Sequence, residues 1–143
     1  ARPRPLQAGQ RPARPPSPVR RVLMAFTERV QACIRKRDRL YRLGGEEFVL
    51  LLPDTDHSGA RAALEKVRDA VQAEPLAAGQ RVTTSIGAAT LEAEDDWPRW
   101  LARADAALYQ AKDAGRDRVS FDDSGAARPG ERRLRLVSGR PLR

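Results

Sequence analysis

The chain has 143 residues, about the length of one domain, and carries 27 basic and 19 acidic side chains for a net charge of +8. The excess lies at the ends: residues 1–20 and 124–143 together hold eleven arginines and one acid, whereas residues 21–123 hold 16 basic and 18 acidic side chains. A nucleic-acid reader carries its positive charge on the folded surface that touches phosphate. The charge distribution therefore argues against specific nucleic-acid binding by the folded part.

The cysteine content and the apolar runs indicate the cellular compartment and whether a segment spans a membrane. A single cysteine, Cys33, excludes an internal disulfide and is typical of a reducing compartment. The longest wholly apolar runs, residues 22–26 and 48–52, are far shorter than the roughly 20 residues that span a bilayer. We therefore expect a cytoplasmic protein with no membrane segment in this chain.

The two ends of the chain differ in composition from the middle. Residues 1–20 carry six of the eleven prolines and few large apolar side chains, a composition that predicts disorder. Residues 124–143 form a basic tail in which 134–137 could add a weak strand. The predicted folded domain is therefore residues 21–123.

Hydrophobic periodicity alternates between helix and strand along this domain. The predicted elements are, in chain order, a helix over 21–36, strands over 40–43 and 47–52, a helix over 60–71, a strand over 82–91, a helix over 101–111 and a strand over 118–121. Asp56 or Ser58 would cap the second helix, and Asp95 or Asp96 the third. The order indicates an α+β fold, an α/β sandwich whose mostly antiparallel central sheet is flanked by helices.

Two glycines, Gly44 and Gly45, separate the first two predicted strands and predict a hairpin with a Gly-Gly turn. Glycines at a hairpin tip allow a ligand to approach the backbone. Glu46 and Glu47 follow directly, and carboxylates are ligands of a Mg²⁺ that also bridges substrate phosphates. Taken alone, the pattern is more often a type I′ hairpin whose acids face water.

Further motifs accompany this turn in a fixed order. They are Arg35-x-x-Asp38 before the turn, Ser85-Ile86-Gly87 in the third strand, Ala104-Asp105-x-Ala107-Leu108-Tyr109-x-Ala111-Lys112 in the third helix, and Gly115-Arg116 after that helix. Together with Gly44-Gly45-Glu46-Glu47-Phe48, this set resembles the GGDEF domain of diguanylate cyclases in its Gly-Gly-Glu-Glu-Phe form. The resemblance covers residues 22–121 and implies a nucleotidyl-cyclase-like fold.

The resemblance implies a transferase for signal transduction that condenses two GTP into cyclic di-GMP and pyrophosphate. Each subunit of an antiparallel homodimer would hold one GTP. Glu46 and Glu47 would be the catalytic acids, with Glu46 binding Mg²⁺, or Mn²⁺ in its place, and helping to deprotonate the attacking 3′-hydroxyl. Gly44 and Gly45 would let the nucleotide lie against the turn.

Two further pairs acquire roles from the resemblance. Lys112 and Arg116 would bind the β- and γ-phosphates, although cations at a helix C-terminus are also favoured by the helix dipole. Arg35 and Asp38 match the family's inhibitory site, which binds the product cyclic di-GMP. By spacing alone they would be an exposed i,i+3 ion pair of little energetic value.

The sequence departs from the family at its N-terminal side. The family has an earlier strand bearing Asp-x-Asp-x-Phe-Lys, followed by residues that recognise guanine, and residues 1–20 contain no match to it. We therefore expect a truncated domain without its central strand and with an incomplete metal site. A one-base shift in reading frame can turn this stretch into the family's pattern, which leads to the hypothesis that residues 1–17 are an out-of-frame reading.

Two functions stay open at this point. The chain is either a diguanylate cyclase, impaired as it stands, or a non-catalytic module that binds cyclic di-GMP through Arg35-x-x-Asp38. Glu46, Lys112 and Arg116 favour the enzyme, because a receptor needs none of them. In both cases the resemblance implies an upstream sensor or receiver domain as a partner.

Overall fold

The computed structural model describes residues 13–122 and the backbone of residues 133–142. In chain order the elements are α1 (Pro18–Gln31), β1 (Arg39–Gly44), β2 (Glu47–Thr55), α2 (His57–Ala73), a 3₁₀ turn (Ala77–Gly79), β3 (Thr83–Thr90), α3 (Trp97–Asp113), β4 (Val119–Asp122) and β5 (Arg133–Leu142). The predicted α+β architecture is confirmed. In the part of the chain that the structure describes, no helix combines the length and apolarity needed to cross a membrane.

The first helix lies earlier in the chain than predicted. It covers Pro18–Gln31 rather than 21–36, because Ser17 caps it by accepting a hydrogen bond from the Arg20 N–H at 3.2 Å and Pro18 occupies its first turn. Residues 18–20 are therefore helical rather than disordered. Residues 13–17 are exposed and belong to no helix or strand, and residues 1–12 lie outside the described residues. The other two caps are Asp56 and Asp96, one of the two candidates in each case.

The sheet has the strand order β1-β2-β5-β3-β4. All neighbouring strands are antiparallel except β3 and β4, which are parallel. The central position, which the sequence analysis left empty, is occupied by β5, a segment that the sequence analysis placed in the basic tail. Its backbone joins the β1–β2 half of the sheet to the β3–β4 half.

The sheet is covered by helices on both faces. Alternate residues of β2 and β3, such as Phe48, Leu52 and Ile86, belong to one apolar cluster with α1 and α2. The intervening residues Val49 and Ala89 form a second cluster with α3. Because successive strand residues point to opposite faces, the two clusters place α1 and α2 on one side of the sheet and α3 on the other.

The close packing of α3 on the sheet depends on Gly87 in the middle of β3. A Cβ atom at this position would lie 2.2 Å from both the Ala104 carbonyl oxygen and the Leu108 amide nitrogen. These are backbone atoms, so no side-chain rotation can relieve the overlap. The Ser85-Ile86-Gly87 and Ala104-to-Lys112 motifs are therefore two sides of one helix–sheet contact.

Candidate active site at one edge of the sheet

The glycine-rich hairpin places Glu46 at its tip. Gly44 pairs with Glu47 across the hairpin, so the two central turn residues are Gly45 and Glu46 rather than the predicted Gly44 and Gly45. Gly44 has φ +143°, Gly45 has φ +52°, and Glu46 is not among the residues with positive φ. A type I′ turn needs positive φ at both central residues, so this turn is not the type I′ turn that the Gly-Gly pattern suggested.

The backbone of this turn is open on its outer side. A Cβ atom built on Gly44 or Gly45 would meet no atom within 4 Å. The Arg42 Nε atom donates a hydrogen bond to the Gly45 carbonyl at 2.9 Å and braces the turn from within the hairpin. Glu46 is exposed and Glu47 is half-buried. A ligand can therefore reach the turn backbone and the Glu46 carboxylate from solvent.

A groove lies beside the hairpin, between β1, β2 and α1. It has a volume of about 350 Å³ and is lined by Arg20, Leu23, Met24, Thr27, Glu28, Arg42 and Phe48. Its walls combine apolar side chains with two arginines and the carboxylate of Glu28. The apolar side chains can contact a flat apolar part of a ligand, and the arginines a negative charge.

Lys112 and Arg116 lie where α3 ends. The Arg116 N–H donates to the Ala111 carbonyl at 2.9 Å and the Gly115 N–H to the Lys112 carbonyl at 3.3 Å, with Gly115 at φ +121°. This is the Schellman arrangement of a helix C-terminus. It turns the chain sharply, so that Arg116 is exposed just after the helix and Lys112 is half-buried in the last turn.

The loop after α3 is anchored to the sheet and to α2. The Asp117 N–H donates to the Ser85 hydroxyl at 3.2 Å, and the Ile86 N–H donates to the Arg118 carbonyl at 2.9 Å. From α2, Arg68 forms an ion pair with the Asp117 carboxylate at 3.3 Å. The hydrogen bond to Glu65 and the contact with Asp117 raise the pKa of Arg68, which therefore stays charged.

The hairpin turn and this loop share one edge of the sheet. Phe48 in β2 and Ile86 in β3 both pair with Gly139 of β5, and Ile86 also pairs with Val119 of β4. The hairpin turn precedes β2 and the loop after α3 precedes β4, and both strands start at the same end of the sheet. Three strand spacings separate Phe48 from Val119, about 14 Å. One elongated ligand could contact both segments.

Arg35 and Asp38 lie at the opposite end of the β1–β2 hairpin, and they are not the exposed ion pair that spacing alone suggested. The Asp38 carboxylate is 3% exposed and accepts from the Arg35 N–H at 2.8 Å, from Nε at 3.3 Å and from Nη2 at 3.0 Å. Arg35 Nη2 also donates to the Pro53 carbonyl at 3.2 Å and to the Thr55 hydroxyl at 2.7 Å. The Arg35 side chain is nonetheless 48% exposed.

The sequence analysis missed three residues that support these segments: Arg42, Thr55 and Arg68. Arg42 and Arg68 belong to helices or strands in which an arginine is unremarkable as a surface residue. Thr55 lies 20 residues after Arg35, and no local pattern links the two. Each contact arises from the tertiary fold, so the one-dimensional pattern carries no signal for it.

The donor set at the turn fits a magnesium ion that takes only part of its ligands from protein. Mg²⁺ is commonly held by one or two carboxylates, with waters and substrate phosphates completing its shell. Glu46 and Glu47 supply such a pair. Among residues 13–122 and 133–142, no group of three or more His, Cys, Asp or Glu side chains could hold a metal ion by itself.

The layered α+β fold with its central antiparallel sheet, a Gly-Gly-Glu-Glu turn and a Lys/Arg-bearing loop at one edge define a nucleotidyl-cyclase-like domain. Two solved structures share the fold with a TM-score of 0.66. Diguanylate cyclase SiaD from Pseudomonas aeruginosa, in complex with its activator SiaC, is 38% identical, and the match covers 71% of this chain and 40% of SiaD. The GGDEF domain of DgcB from Caulobacter crescentus, in complex with c-di-GMP, is 28% identical, and the match covers 72% of this chain and 64% of the DgcB domain.

Sequence comparison gives the family directly. Residues 19–118 match the family "Diguanylate cyclase, GGDEF domain". Diguanylate cyclase DgcM of Escherichia coli is 42% identical over 98 residues, which cover 68% of this chain and 24% of DgcM. The response regulator PleD of Caulobacter vibrioides is 38% identical over 104 residues, which cover 68% of this chain and 23% of PleD. The chain therefore belongs to the GGDEF family of diguanylate cyclases, and it spans about a quarter of the length of these two relatives.

Proposed function

We propose that this chain binds GTP at the edge formed by the hairpin turn and the loop after α3, and that two such chains condense two GTP into cyclic di-GMP and pyrophosphate. The observation that carries the proposal is the strand register, in which Phe48 and Val119 begin their strands at one edge. In the proposed complex, one triphosphate would span from the glycine turn with its two carboxylates to the end of α3 and the loop after it, which carry Lys112 and Arg116.

The turn residues would act on the reacting end of the nucleotide. The open backbone at Gly44 and Gly45 lets a phosphate approach without steric conflict. Glu46 at the tip would hold a divalent cation and accept the proton of the attacking 3′-hydroxyl, with Glu47 beside it. Bound Mg²⁺ would neutralise charge on the phosphates and lower the pKa of that hydroxyl.

The two cations at the end of α3 would act on the leaving pyrophosphate. Lys112 lies in the last turn of α3 and Arg116 four residues later, and the Schellman turn holds the backbone of both by the Arg116-to-Ala111 and Gly115-to-Lys112 hydrogen bonds. Cations placed against the β- and γ-phosphates stabilise the charge that develops as the bond to the α-phosphate breaks. The ion pair from Arg68 to Asp117 would keep this loop in place.

Condensation of two GTP requires two such sites face to face, so we propose a homodimer as the active form. One chain supplies the carboxylates and cations for one GTP, and the second chain presents the other GTP with its α-phosphate. The signal that controls this encounter would come from a sensor or receiver partner domain, as the resemblance implies.

We further propose that turnover by this chain is slow. The strand between β2 and β3 is the neighbour of the glycine hairpin in the sheet, and in this structure it is β5, whose ten residues include three arginines and no carboxylate. The family resemblance implies a further metal-binding carboxylate from an acidic strand, and β5 supplies none. The site would therefore bind Mg²⁺ and GTP more readily than it turns GTP over.

The test is formation of cyclic di-GMP from GTP and Mg²⁺ by the wild-type chain, Glu46→Gln and Glu94→Gln. Glu46→Gln should lower turnover by about 10²–10⁴-fold, with GTP affinity changed little, because the amide removes the basic, metal-binding oxygen but keeps the shape. Glu94 lies beyond the end of β3, at the opposite edge of the sheet, so Glu94→Gln is a matched control and should match wild type. Turnover that survives Glu46→Gln would remove Glu46 from the reaction.

A second candidate function is cyclic di-GMP binding at Arg35 and Asp38. The buried Asp38 carboxylate, the Pro53 carbonyl and the Thr55 hydroxyl hold the Arg35 guanidinium in place while about half of its side chain remains exposed. A guanidinium held in this way can bind a phosphate or a guanine edge with little further ordering. The DgcB relative is described in complex with c-di-GMP, which supports the same ligand here.

The two candidates are separated by one pair of measurements. Turnover that depends on Glu46 supports the enzyme. Cyclic di-GMP binding that depends on Arg35, in a chain without turnover, supports the binding module. If cyclic di-GMP both forms and binds, Arg35 and Asp38 are the inhibitory product site of an active enzyme.

A further inference from the structure

The side of α3 that points away from the sheet carries an ordered set of exposed residues. Five of them recur at spacings of three, four, three and four positions: Arg99, Ala102, Ala106, Tyr109 and Asp113. This spacing aligns side chains along one line of a helix surface. The line, called here the outer face of α3, lies opposite the buried side chains that pack on the sheet, such as Ala104 and Ala111.

The middle of the outer face combines two small side chains with a protruding aromatic ring. Tyr109 is 70% exposed, more than any other large hydrophobic residue in the described part of the chain. Ala102 and Ala106 lie beside it and also line a groove of about 480 Å³ that extends to Phe121 in β4. Small side chains allow a second helix to approach to about 8 Å between axes. The outer face therefore offers both a projecting ring and a shallow surface that can receive one.

The two ends of the outer face carry opposite charges at equal distances from its centre. Arg99 lies seven positions before Ala106, and Asp113 lies seven positions after it. At 1.5 Å of rise per residue, each is about 10 Å from Ala106 along the helix. Both side chains are exposed.

This arrangement is complementary to itself when two helices run antiparallel. With Ala106 on a two-fold axis, Arg99 of each helix lies level with Asp113 of the other, so two opposite-charge pairs form. Tyr109 then lies level with the stretch between Ala102 and Ala106 of the other helix. A parallel pair would instead place Arg99 beside Arg99 and Asp113 beside Asp113, where like charges repel.

We propose that the outer face of α3 binds a second copy of this chain, in an antiparallel contact of two α3 helices about a two-fold axis at Ala106. Each copy contributes the same residues, so the contact is isologous and closes at two chains. Since one helix from each chain forms it, the interface is smaller than a standard one, and we expect a dissociation constant on the order of 100 µM.

This contact is distinct from the catalytic homodimer proposed above. The outer face contains none of the residues assigned to GTP or to the metal ion, and its complementarity requires neither. The inference therefore does not rest on the proposed function, and all measurements below are made without nucleotide and without Mg²⁺.

Sedimentation equilibrium of the full chain, over concentrations on both sides of the expected dissociation constant, tests the contact. The wild-type chain should show a reversible monomer–dimer equilibrium. Tyr109→Ser should weaken it at least about tenfold, because each dimer loses two buried rings. The matched control is Tyr41→Ser, which removes a half-exposed aromatic side chain from the edge strand β1 and should behave as wild type. A wild-type chain that stays monomeric, or equal weakening by both variants, overturns the proposal.

Charge reversal tests the antiparallel register. Arg99→Glu or Asp113→Arg alone places like charges level with each other at both ends of the contact and should weaken the dimer about tenfold. The double variant Arg99→Glu/Asp113→Arg restores two opposite-charge pairs and should return to within about threefold of wild type. The midpoint of urea unfolding should be similar in all three variants, because both positions are exposed. A double variant as weak as the single ones overturns the register.

Disulfide trapping locates the two-fold axis. In a Cys33→Ser background, Ala106→Cys should form a disulfide-linked dimer under mild oxidation, because the axis brings this position next to its own copy. The control is Ala62→Cys, at an exposed position of α2, and should remain monomeric. Failure of Ala106→Cys to couple, or equal coupling through Ala62→Cys, would overturn the proposed contact.

Discussion

The β1–β2 hairpin carries a candidate ligand site at each end, and the two ends are built in opposite ways. At one end, Asp38 is buried and Arg35 is held by the Pro53 carbonyl and the Thr55 hydroxyl. At the other end, the turn at Gly44–Gly45 has open space around its backbone and an exposed Glu46. About 20 Å of strand separates them. The first end is ordered before any ligand binds, whereas the second depends on the nucleotide and its metal to complete it.

This difference predicts that substitutions at the ordered end change the free energy of unfolding, whereas substitutions at the open turn change turnover or ligand binding. Side chains that already make hydrogen bonds in the fold contribute to the free energy of unfolding, and their loss is measured without a ligand. Side chains that await a ligand contribute to turnover or binding and little to stability. Strand β1 links the two ends, so a ligand at the ordered end can restrain the open turn without entering it.

Arg35→Ala should have the largest effect among the substitutions that compare the ends. It removes a charge-assisted contact worth roughly 1.5–3 kcal/mol, so cyclic di-GMP should bind about one to two decades more weakly while GTP affinity changes little. Calorimetric titration measures both. The control is Arg37→Ala, which removes the same charge from an exposed ion pair with Asp54. Equal weakening by both variants would mean that general positive charge, rather than the Arg35 site, binds the ligand.

Asp38→Asn and Glu46→Gln make the same chemical change at the two ends. Asp38→Asn should lower the free energy of unfolding by about 2 kcal/mol, because its carboxylate accepts three hydrogen bonds from Arg35 in a buried position. Glu46→Gln should change it by less than about 0.5 kcal/mol, because Glu46 is exposed. Urea unfolding measures both. If Glu46→Gln were the more destabilising, the distinction between the two ends would not hold.

The sequence predicted the open end better than the ordered end. Gly44, Gly45, Glu46 and Glu47 are contiguous, so their spacing alone places them in one turn, with only the turn type and its centre wrong. The ordered end depends on contacts between Arg35 and residues 18 and 20 positions away. No periodicity connects those positions, and the burial of Asp38 follows from the fold.

The centre of the sheet was the least predictable part of the fold. The segment 133–142 has weak apolar alternation and three arginines, so the sequence analysis placed it in a basic tail. The weak strand suggested over 134–137 lies within β5, but its length and central position were not predicted. Its pairing is decided by the free edges of β2 and β3, which a strand of suitable length can satisfy. By contrast, the contact at Gly87 has a signal in the sequence, which the sequence analysis used only as a family motif: a glycine within a strand often marks a close approach, here of the backbone of α3.

The two turn glycines should differ in how well they tolerate a side chain. Gly44→Ala should cost about 2 kcal/mol of unfolding free energy, because φ +143° lies outside the regions that alanine populates. Gly45→Ala should cost about 1 kcal/mol, because φ +52° lies in the left-handed region that alanine can enter at a cost. Thermal or urea unfolding measures both. An equal cost would show that the turn rearranges around either substitution.

Thr55→Val should have the smallest effect on cyclic di-GMP affinity and isolates the ordering of Arg35 from its charge. Valine keeps the shape of threonine but removes the hydroxyl that accepts from Arg35 Nη2 at 2.7 Å and donates to the Pro53 carbonyl at 2.8 Å. The free energy of unfolding should fall by about 1 kcal/mol, because Thr55 is buried and one hydrogen-bonding group is lost. Cyclic di-GMP affinity should fall by roughly threefold, since the guanidinium keeps Asp38 but is ordered less well before binding. An affinity loss as large as that of Arg35→Ala would instead make Thr55 a direct ligand contact, and an unchanged affinity would mean that Asp38 alone orders Arg35.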